Sequence, residues 1–140
     1  MIRAVSNYAV CRALRQQVFV EEQGVSQEDE WDDLDDDAVH LLLTVGGTDI
    51  GTARLLTKGS TGKIGRICVL AQYRGGGHGK ALVEAGVAHF MAQDAITAVV
   101  LSAQDHAIGF YEKLGFTATG PFYDDAGIPH RDMWRHLPPR

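Results

Sequence analysis

The chain has 140 residues and a mass of 15.2 kDa, with 45% hydrophobic residues, 22% charged residues and a mean hydropathy of −0.10. These are the proportions of one globular domain spanning residues 1–140, since domains most often run to about 100–150 residues and a chain of that size buries about two-thirds of its unfolded surface. Cys11 and Cys68 make neither a disulfide framework nor a zinc-ligand spacing, and the longest apolar run falls far short of the ~20 residues of a membrane span. No basic-then-apolar leader opens the chain, so a reduced, cytoplasmic protein without metal or membrane association is expected. The formal charge is −5, and ten of the 18 acidic residues lie between Glu21 and Asp37, a stretch with no Lys or Arg. An acidic total also argues against a nucleic-acid partner, for which clustered basic charge is the first sign.

In chain order, Ile2–Val5 reads as a short strand, with Ser6 or Asn7 as the cap of a helix from Tyr8 to about Glu22. Val10, Leu14 and Val18 fall four apart on that helix, with Cys11 beside them, and Gln23-Gly24 ends it. The acidic block follows as a loop or short helix, broken only by Trp31 and Leu34. Three strands in a meander come next: Ala38–Val45, Ile50–Thr57 and Lys63–Leu70, joined at Gly46-Gly47-Thr48-Asp49 and Lys58-Gly59-Ser60-Thr61-Gly62. Lys80–Gln93 is an amphipathic helix with Leu82, Val83, Val87, Phe90 and Met91 inward, and Thr97–Ala103 is a strand of the kind buried on both faces. A short helix over Asp105–Leu114 stops at Gly115, and Phe116–Tyr123 with His130–His136 form a last hairpin. The layout is α/β with a mixed sheet.

The most informative segment is Arg74-Gly75-Gly76-Gly77-His78-Gly79-Lys80, between a buried strand and a helix. Glycines there let the backbone approach a ligand closely, and a helix start supplies unpaired N–H groups that favour an anion. Arg74 and Lys80 add formal positive charge. The nucleotide P-loop fails twice, because Arg74 stands where its first Gly belongs and Ala81 where its Ser or Thr belongs. The dinucleotide fingerprint fails at Lys80 or Leu82, depending on where it is started.

The surviving pattern, Gln/Arg-x-x-Gly-x-Gly/Ala, is matched by Arg74, Gly77 and Gly79, and resembles the pyrophosphate loop of the GNAT-type, acetyl-CoA-dependent N-acetyltransferases. About thirty residues on, Ala107-Ile108-Gly109-Phe110-Tyr111-Glu112-Lys113-Leu114-Gly115-Phe116 resembles the second signature of that family. Arg15–Gln23 and Gly127-Ile128-Pro129-His130 are similar to segments of a small bacterial GNAT subgroup. The resemblance covers nearly the whole chain. It implies a mostly antiparallel sheet of about seven strands, splayed near the cofactor and flanked by about four helices.

It also implies acetyl transfer from acetyl-CoA to an amine of a small molecule or peptide by direct attack. Cofactor contacts would fall on Ile67, Cys68, Val69, Arg74, Gly75, Gly76, Gly77, His78, Gly79, Lys80 and Gln104. A backbone N–H near Val69 or Leu70 would face the acetyl oxygen, and Tyr111 would be the general acid toward the leaving thiolate. The strand Glu often used as base in the family is missing from Lys63–Leu70, which leaves Glu21, Glu22, His40 and His130 as candidates. Imidazole suits base chemistry near neutral pH, although a His alternating along a strand, as His40 does, is commonly structural. Cys68, inside a strand without a His partner, reads as a small hydrophobe rather than a nucleophile.

The acidic residues 28–37 read as a solvated loop or as a steering surface for a cationic amine, with Trp31 and Leu34 tying the segment to the body at the acceptor mouth; metal binding ranks third. The C-terminal strands offer an edge for pairing into a homodimer. Two other functions keep the fold: an acyl-CoA-binding sensor with an idle site, favoured by the missing Glu, and an enzyme like the acyl-homoserine-lactone synthases.

Overall fold

Alternating apolar residues in the middle of the chain build two cores, one on each face of a single sheet. In the strand Val39–Val45 (β2), Leu41 and Leu43 pack to one side and Leu42 to the other. This is the period-two pattern of a strand covered on both faces. The structure, a computed structural model, describes residues 1–139. Its sheet has seven strands in the order β1-β2-β3-β4-β5-β7-β6. The remaining strands are Ile2–Val5 (β1), Thr48–Lys58 (β3), Thr61–Val69 (β4), Ala98–Gln104 (β5), Thr117–Asp125 (β6) and Ile128–His136 (β7).

All neighbours are antiparallel except β4 and β5, which run parallel over three pairs, Thr61↔Ala98, Gly62↔Val99 and Lys63↔Val100. Beyond Lys63 the two strands part. The remainder of β4 stays paired only with β3, through a bulge in which Arg66 takes φ 50°. An extra residue of this kind bends its strand and re-aims a side chain.

Helix His78–Met91 (α3) covers one face with Leu82, Val83, Gly86, Val87 and Phe90, while Met91, expected inward, is exposed. The Phe90 ring lies over Gly62, where a Cβ would come within 2.5 Å of it, so only glycine admits this approach of helix to strand. Helix Ile108–Glu112 (α4) adds Ile108 and Tyr111 to the same core. The opposite face is covered by Ala9–Arg15 (α1), whose chain continues as a π-helical segment over Gln16–Glu22. Asn7, one of the two expected caps, accepts from Ala9 N–H at 3.1 Å. The buried face is Cys11, Leu14, Arg15 and Val18, so Val10 points outward and an arginine takes the place expected for an aliphatic residue.

Arg15 explains the acidic block. Arg15, Glu30 and Asp35 are 0%, 1% and 2% exposed. Arg15 Nε bonds Glu30, and its Nη1 and Nη2 reach Asp35 at 2.8 and 3.1 Å. Arg12 also binds Asp35, at 2.8 Å, and Arg54 grips Asp32 with two bonds of 2.7 Å. With Arg66, which lies 3.2 Å from Asp32 and 3.4 Å from Glu30, four arginines from α1, β3 and β4 meet three carboxylates from one short stretch. The stretch itself folds as Gln27–Glu30 (α2), capped by Ser26, and a 3-10 turn over Asp35–Asp37. The expected solvated loop is therefore a structural element at Glu30, Asp32 and Asp35. Trp31 and Leu34, expected to tie it to the body, are 45% and 42% exposed; the Arg12 guanidinium lies 5.1 Å from the Trp31 ring, and Leu34 borders the cleft described below.

Burial pushes the Asp35 carboxyl up, but bonds from Arg15 and Arg12 outweigh it and hold the group well below the usual carboxylate range. Asp32 is lowered to about 2, burial there being overcome by Arg54. Both groups have depressed folded-state values, so the stability they contribute is present above the ordinary carboxylate range and is lost as pH falls toward and below about 2. Removing one partner of a buried pair costs about 3–5 kcal/mol. Asp35→Ala is therefore expected to lose about that much in denaturant unfolding and to flatten the acid limb of stability between about pH 4 and 2. An acid limb identical to wild type would show that Asp35 is uncoupled from folding.

Candidate active site

Where β4 and β5 part, a cleft of ≈ 910 Å³ opens through the sheet. Its floor is the free edge of β4, and the glycine turn and start of α3 border one end. The end of β5, α4 and the tip of the β6–β7 hairpin close the other side. Of the residues expected at the cofactor, Ile67, Cys68, Val69, Arg74, Gly75, Gly77, His78, Gly79, Lys80 and Gln104 line this cleft. Gly76 does not; its Cβ position faces the His78 ring at 3.2 Å.

The main chain supplies the donors. Gly77 caps α3 in the left-handed region (φ 82°) and, lacking a side chain, leaves the helix start uncapped. Helical bonding begins with Ala81 N–H to Gly77 O at 3.0 Å, so the N–H groups of His78, Gly79 and Lys80 precede it without helical acceptors. Such an end favours an anion. Along β4, Leu70 N–H is bonded to Ile50 O at 2.9 Å and cannot serve the cleft. Because successive residues turn their N–H groups to opposite edges, Val69 N–H, at the Gly51↔Val69 pair, faces the splay instead. Of the two expected donors, the ladder leaves Val69.

The loop's cations are both paired. Arg74 donates to Glu22 at 2.6 and 2.8 Å and to Val69 O at 3.0 Å, and Lys80 lies 3.8 Å from Glu84. Glu22 therefore stands as a salt-bridge partner, outside the cleft lining. The Arg74 hydrogen bond lowers its pKa, which weakens it as a base. Glu21 is likewise exposed and outside the lining. His40 is also removed from the list: it is buried between sheet and α1, stacked 4.5 Å from Tyr8, with Nε2 bonded to Asp35 O at 2.8 Å. A strand position facing α1 made it structural.

His130, also buried at 9% exposed, borders the cleft, and its Nδ1 lies 2.7 Å from Ile128 O. A carbonyl only accepts, so Nδ1 carries a proton, and in the neutral ring the lone pair is on Nε2. Among the described residues Nε2 has no hydrogen-bond partner. Tyr111 also borders the cleft, edge-on to Phe110 and Phe116 at 5.0 and 6.3 Å. Burial pushes its phenol up to about 12, so it stays protonated and able to donate.

Sequence reasoning missed a polar array on the hairpin side. Ser102 bonds the Tyr123 hydroxyl, which donates to Asp132 at 2.6 Å, and the Tyr123 ring lies 6.3 Å from His130. Ser102, which interrupts the apolar run Ala98–Ala103, was the available signal. Arg54 and Arg66 were missed as well, although each interrupts an apolar strand opposite a block of unpaired acids.

Among the described residues no helix is long and apolar enough to cross a membrane, and no cluster of His, Cys, Asp and Glu is arranged to hold a metal.

The parted parallel pair and the glycine turn over an uncapped helix agree with the fold that the sequence resemblance implied, and comparison with known proteins gives the family. The profile of the acetyltransferase (GNAT) domain matches residues 8–137. A Bacillus subtilis protein carried under a provisional acetyltransferase name is 45% identical over 121 residues, 84% of this chain and 81% of its own. The crystal structure of an acyl-CoA N-acyltransferase from Pseudomonas aeruginosa superposes with a TM-score of 0.82 at 31% identity, covering 96% of this chain and 97% of that one. A Lactobacillus plantarum structure, provisionally described as an N-acetyltransferase, gives 0.86 at 32% identity over 97% and 98%. The chain belongs to the GNAT acetyltransferase superfamily. Acyl transfer is its reaction class, and the mostly antiparallel seven-stranded sheet with four helices is the fold of that superfamily.

Cys68 is buried, and burial raises its thiol to about 12. At pH 8 the thiolate, the form that reacts, is then scarce. Iodoacetamide at pH 8 is expected to label Cys68 only after unfolding; labelling of the native protein within minutes would contradict the buried placement.

Proposed function

We propose that the protein is an N-acetyltransferase that moves the acetyl group of acetyl-CoA directly onto an amine of a small molecule or peptide. The observation that carries this reading is the pairing of two unfilled donor sets on one cleft. The start of α3 suits a diphosphate, and Val69 N–H lies on the edge along which an extended pantetheine arm would add as a strand. In this reading Val69 N–H donates to the arm or to the thioester oxygen, a preorganised donor of the kind that stabilises the developing oxyanion. Gln104, at the end of β5, and Ile67 and Cys68 flank the same path.

His130 Nε2 takes a proton from the amine, directly or through one water, as its nitrogen attacks the carbonyl carbon. The C–S bond breaks, and Tyr111 donates to the departing sulfur. With the phenol at about 12 and an ordinary thiol near 8.5, full proton transfer is uphill. Tyr111 therefore acts chiefly by hydrogen bonding as the charge develops, any proton it gives to sulfur being replaced from solvent, and His130 returns its own to solvent. A free imidazole nitrogen beside the cleft supplies the base that β4 lacks. That weakens the case for an idle acyl-CoA sensor, which rested on the missing carboxylate. The protein acts in this reading as a cytoplasmic enzyme of one domain, without a metal.

Tyr111→Phe is expected to lower kcat about 100-fold with KM for acetyl-CoA nearly unchanged, and His130→Gln to lower kcat by a similar factor. Gly79→Glu sets a carboxylate among the helix-start amides and should abolish CoA binding by calorimetry while the fold persists. Undiminished CoA affinity in Gly79→Glu would overturn the loop assignment, and full activity of both other variants would overturn the acid and base.

A further inference from the structure

The acceptor half of the cleft rests on the ion network described above, and that network is not balanced. Arg12, Arg15, Arg54 and Arg66 face Glu30, Asp32 and Asp35, a surplus of one positive charge in largely buried surroundings. The surplus can be located. Arg12 and Arg15 have pKa values raised by their carboxylate partners, against the opposing effect of burial, whereas Arg66 is lowered, first by burial and then by Arg54. Burial and Arg54 therefore weigh on Arg66 more than its two ion pairs, to Asp32 at 3.2 Å and Glu30 at 3.4 Å, offset.

Its geometry agrees. Nη2 donates to Asp29 O, Glu30 O and Asp32 Oδ2, each at 3.2 Å, and Nε lies 3.4 Å from Glu30 Oε1 without forming a hydrogen bond. Nη1 has no partner among the described residues. Arg66 stands on the unpaired stretch of β4, three residues before Val69, and borders the cleft with Arg54 and His130. The neighbouring Gly65 leaves open space: a Cβ there would meet nothing within 4 Å. There is thus an unfilled volume, an unpaired guanidinium edge beside it, and one uncompensated charge.

We propose that the acceptor is an amine that also carries a carboxylate, and that Arg66 holds this carboxylate over Gly65 while the amine faces His130. A singly charged carboxylate neutralises the surplus, whereas a phosphate dianion would overshoot it. The exposed Asp29 carboxylate at the cleft rim is solvated and makes no bond to the cluster. Of the acidic residues 28–37 expected to steer a cationic acceptor, Asp35 is engaged by Arg12, Arg15 and Arg54, while Glu28, Asp29, Asp33, Asp36 and Asp37 stay exposed. Arg66 is then a specificity residue for a reaction whose chemistry lies elsewhere in the cleft. The inference rests on the N-acetyltransferase reading for the identity of its ligand as an acceptor.

The test uses matched probes: glycine, β-alanine, 4-aminobutyrate and 5-aminopentanoate, each against its carboxamide, with putrescine as a dication. Thiol release from acetyl-CoA by the wild-type protein should favour at least one carboxylate over its amide by about 10- to 100-fold in kcat/KM, mostly through KM, as a charged hydrogen bond of this kind predicts. Arg66→Gln should bring that ratio to within about 3-fold of unity, and Arg66→Lys should keep part of it. Amides or putrescine used as well as the acids by wild type, or an unchanged ratio in a folded Arg66→Gln, would overturn the proposal.

If no amine turns over, calorimetry with the N-acetyl forms of the same acids and amides, in saturating CoA, decides separately. Binding of the acids alone keeps the anion anchor and rejects the transferase reading. Binding of neither, or of both equally, rejects the anchor.

Discussion

Three residue pairs hold β4 to β5, and the cleft exists because a fourth does not form. A central strand whose amides find no neighbour is an expensive arrangement in a protein interior, since each unpaired buried polar group forfeits the energy of a hydrogen bond. Here the bulge at Arg66 bends β4 while β3 holds its other edge, and α3 anchors its root through the Phe90 contact over Gly62. The result is a strand edge kept open by packing elsewhere. Its unmet donors are the feature a thioester arm can use.

The second determinant is the ion network on the opposite face. It fastens the acidic segment against α1, and through Arg54 and Arg66 the same network reaches the cleft floor. Charges that fasten the segment thus also border the cleft, so a substitution at Arg54 or Arg66 acts on stability as well as on the cleft.

Much of this was legible in the sequence. The β2–β3 hairpin announced itself by Gly46-Gly47, the turn over residues 74–80 by its glycines, and Tyr111 by the segment around it. What escaped depends on partners distant in sequence. The helical period placed Val10 inward because a spacing of four cannot distinguish it from Arg15, whose burial is possible only with Glu30 and Asp35 folded beneath it. Met91 follows Phe90, whose ring takes the sheet side over Gly62, so the helical turn carries Met91 outward. His40 and His130 look alike in the sequence, each alternating along a strand. Each is bonded to a main-chain oxygen and keeps one ring nitrogen unpaired; what separates them is place, His40 lying under Tyr8 away from the cleft and His130 on the cleft wall. The π-helical turn after Arg15 left no compositional mark at all.

The salt bridges of the glycine turn bear on how an anion would arrive there. Arg74 is neutralised by Glu22 and Lys80 stands opposite Glu84, so at a distance the turn presents dipoles in place of net charge. Dipolar fields fade within the first helical turn, whereas unpaired charges act across a Debye length of about 8 Å at physiological ionic strength. An anion held at this end of the cleft would therefore be held at short range, by fit to the main chain more than by the charges of the turn.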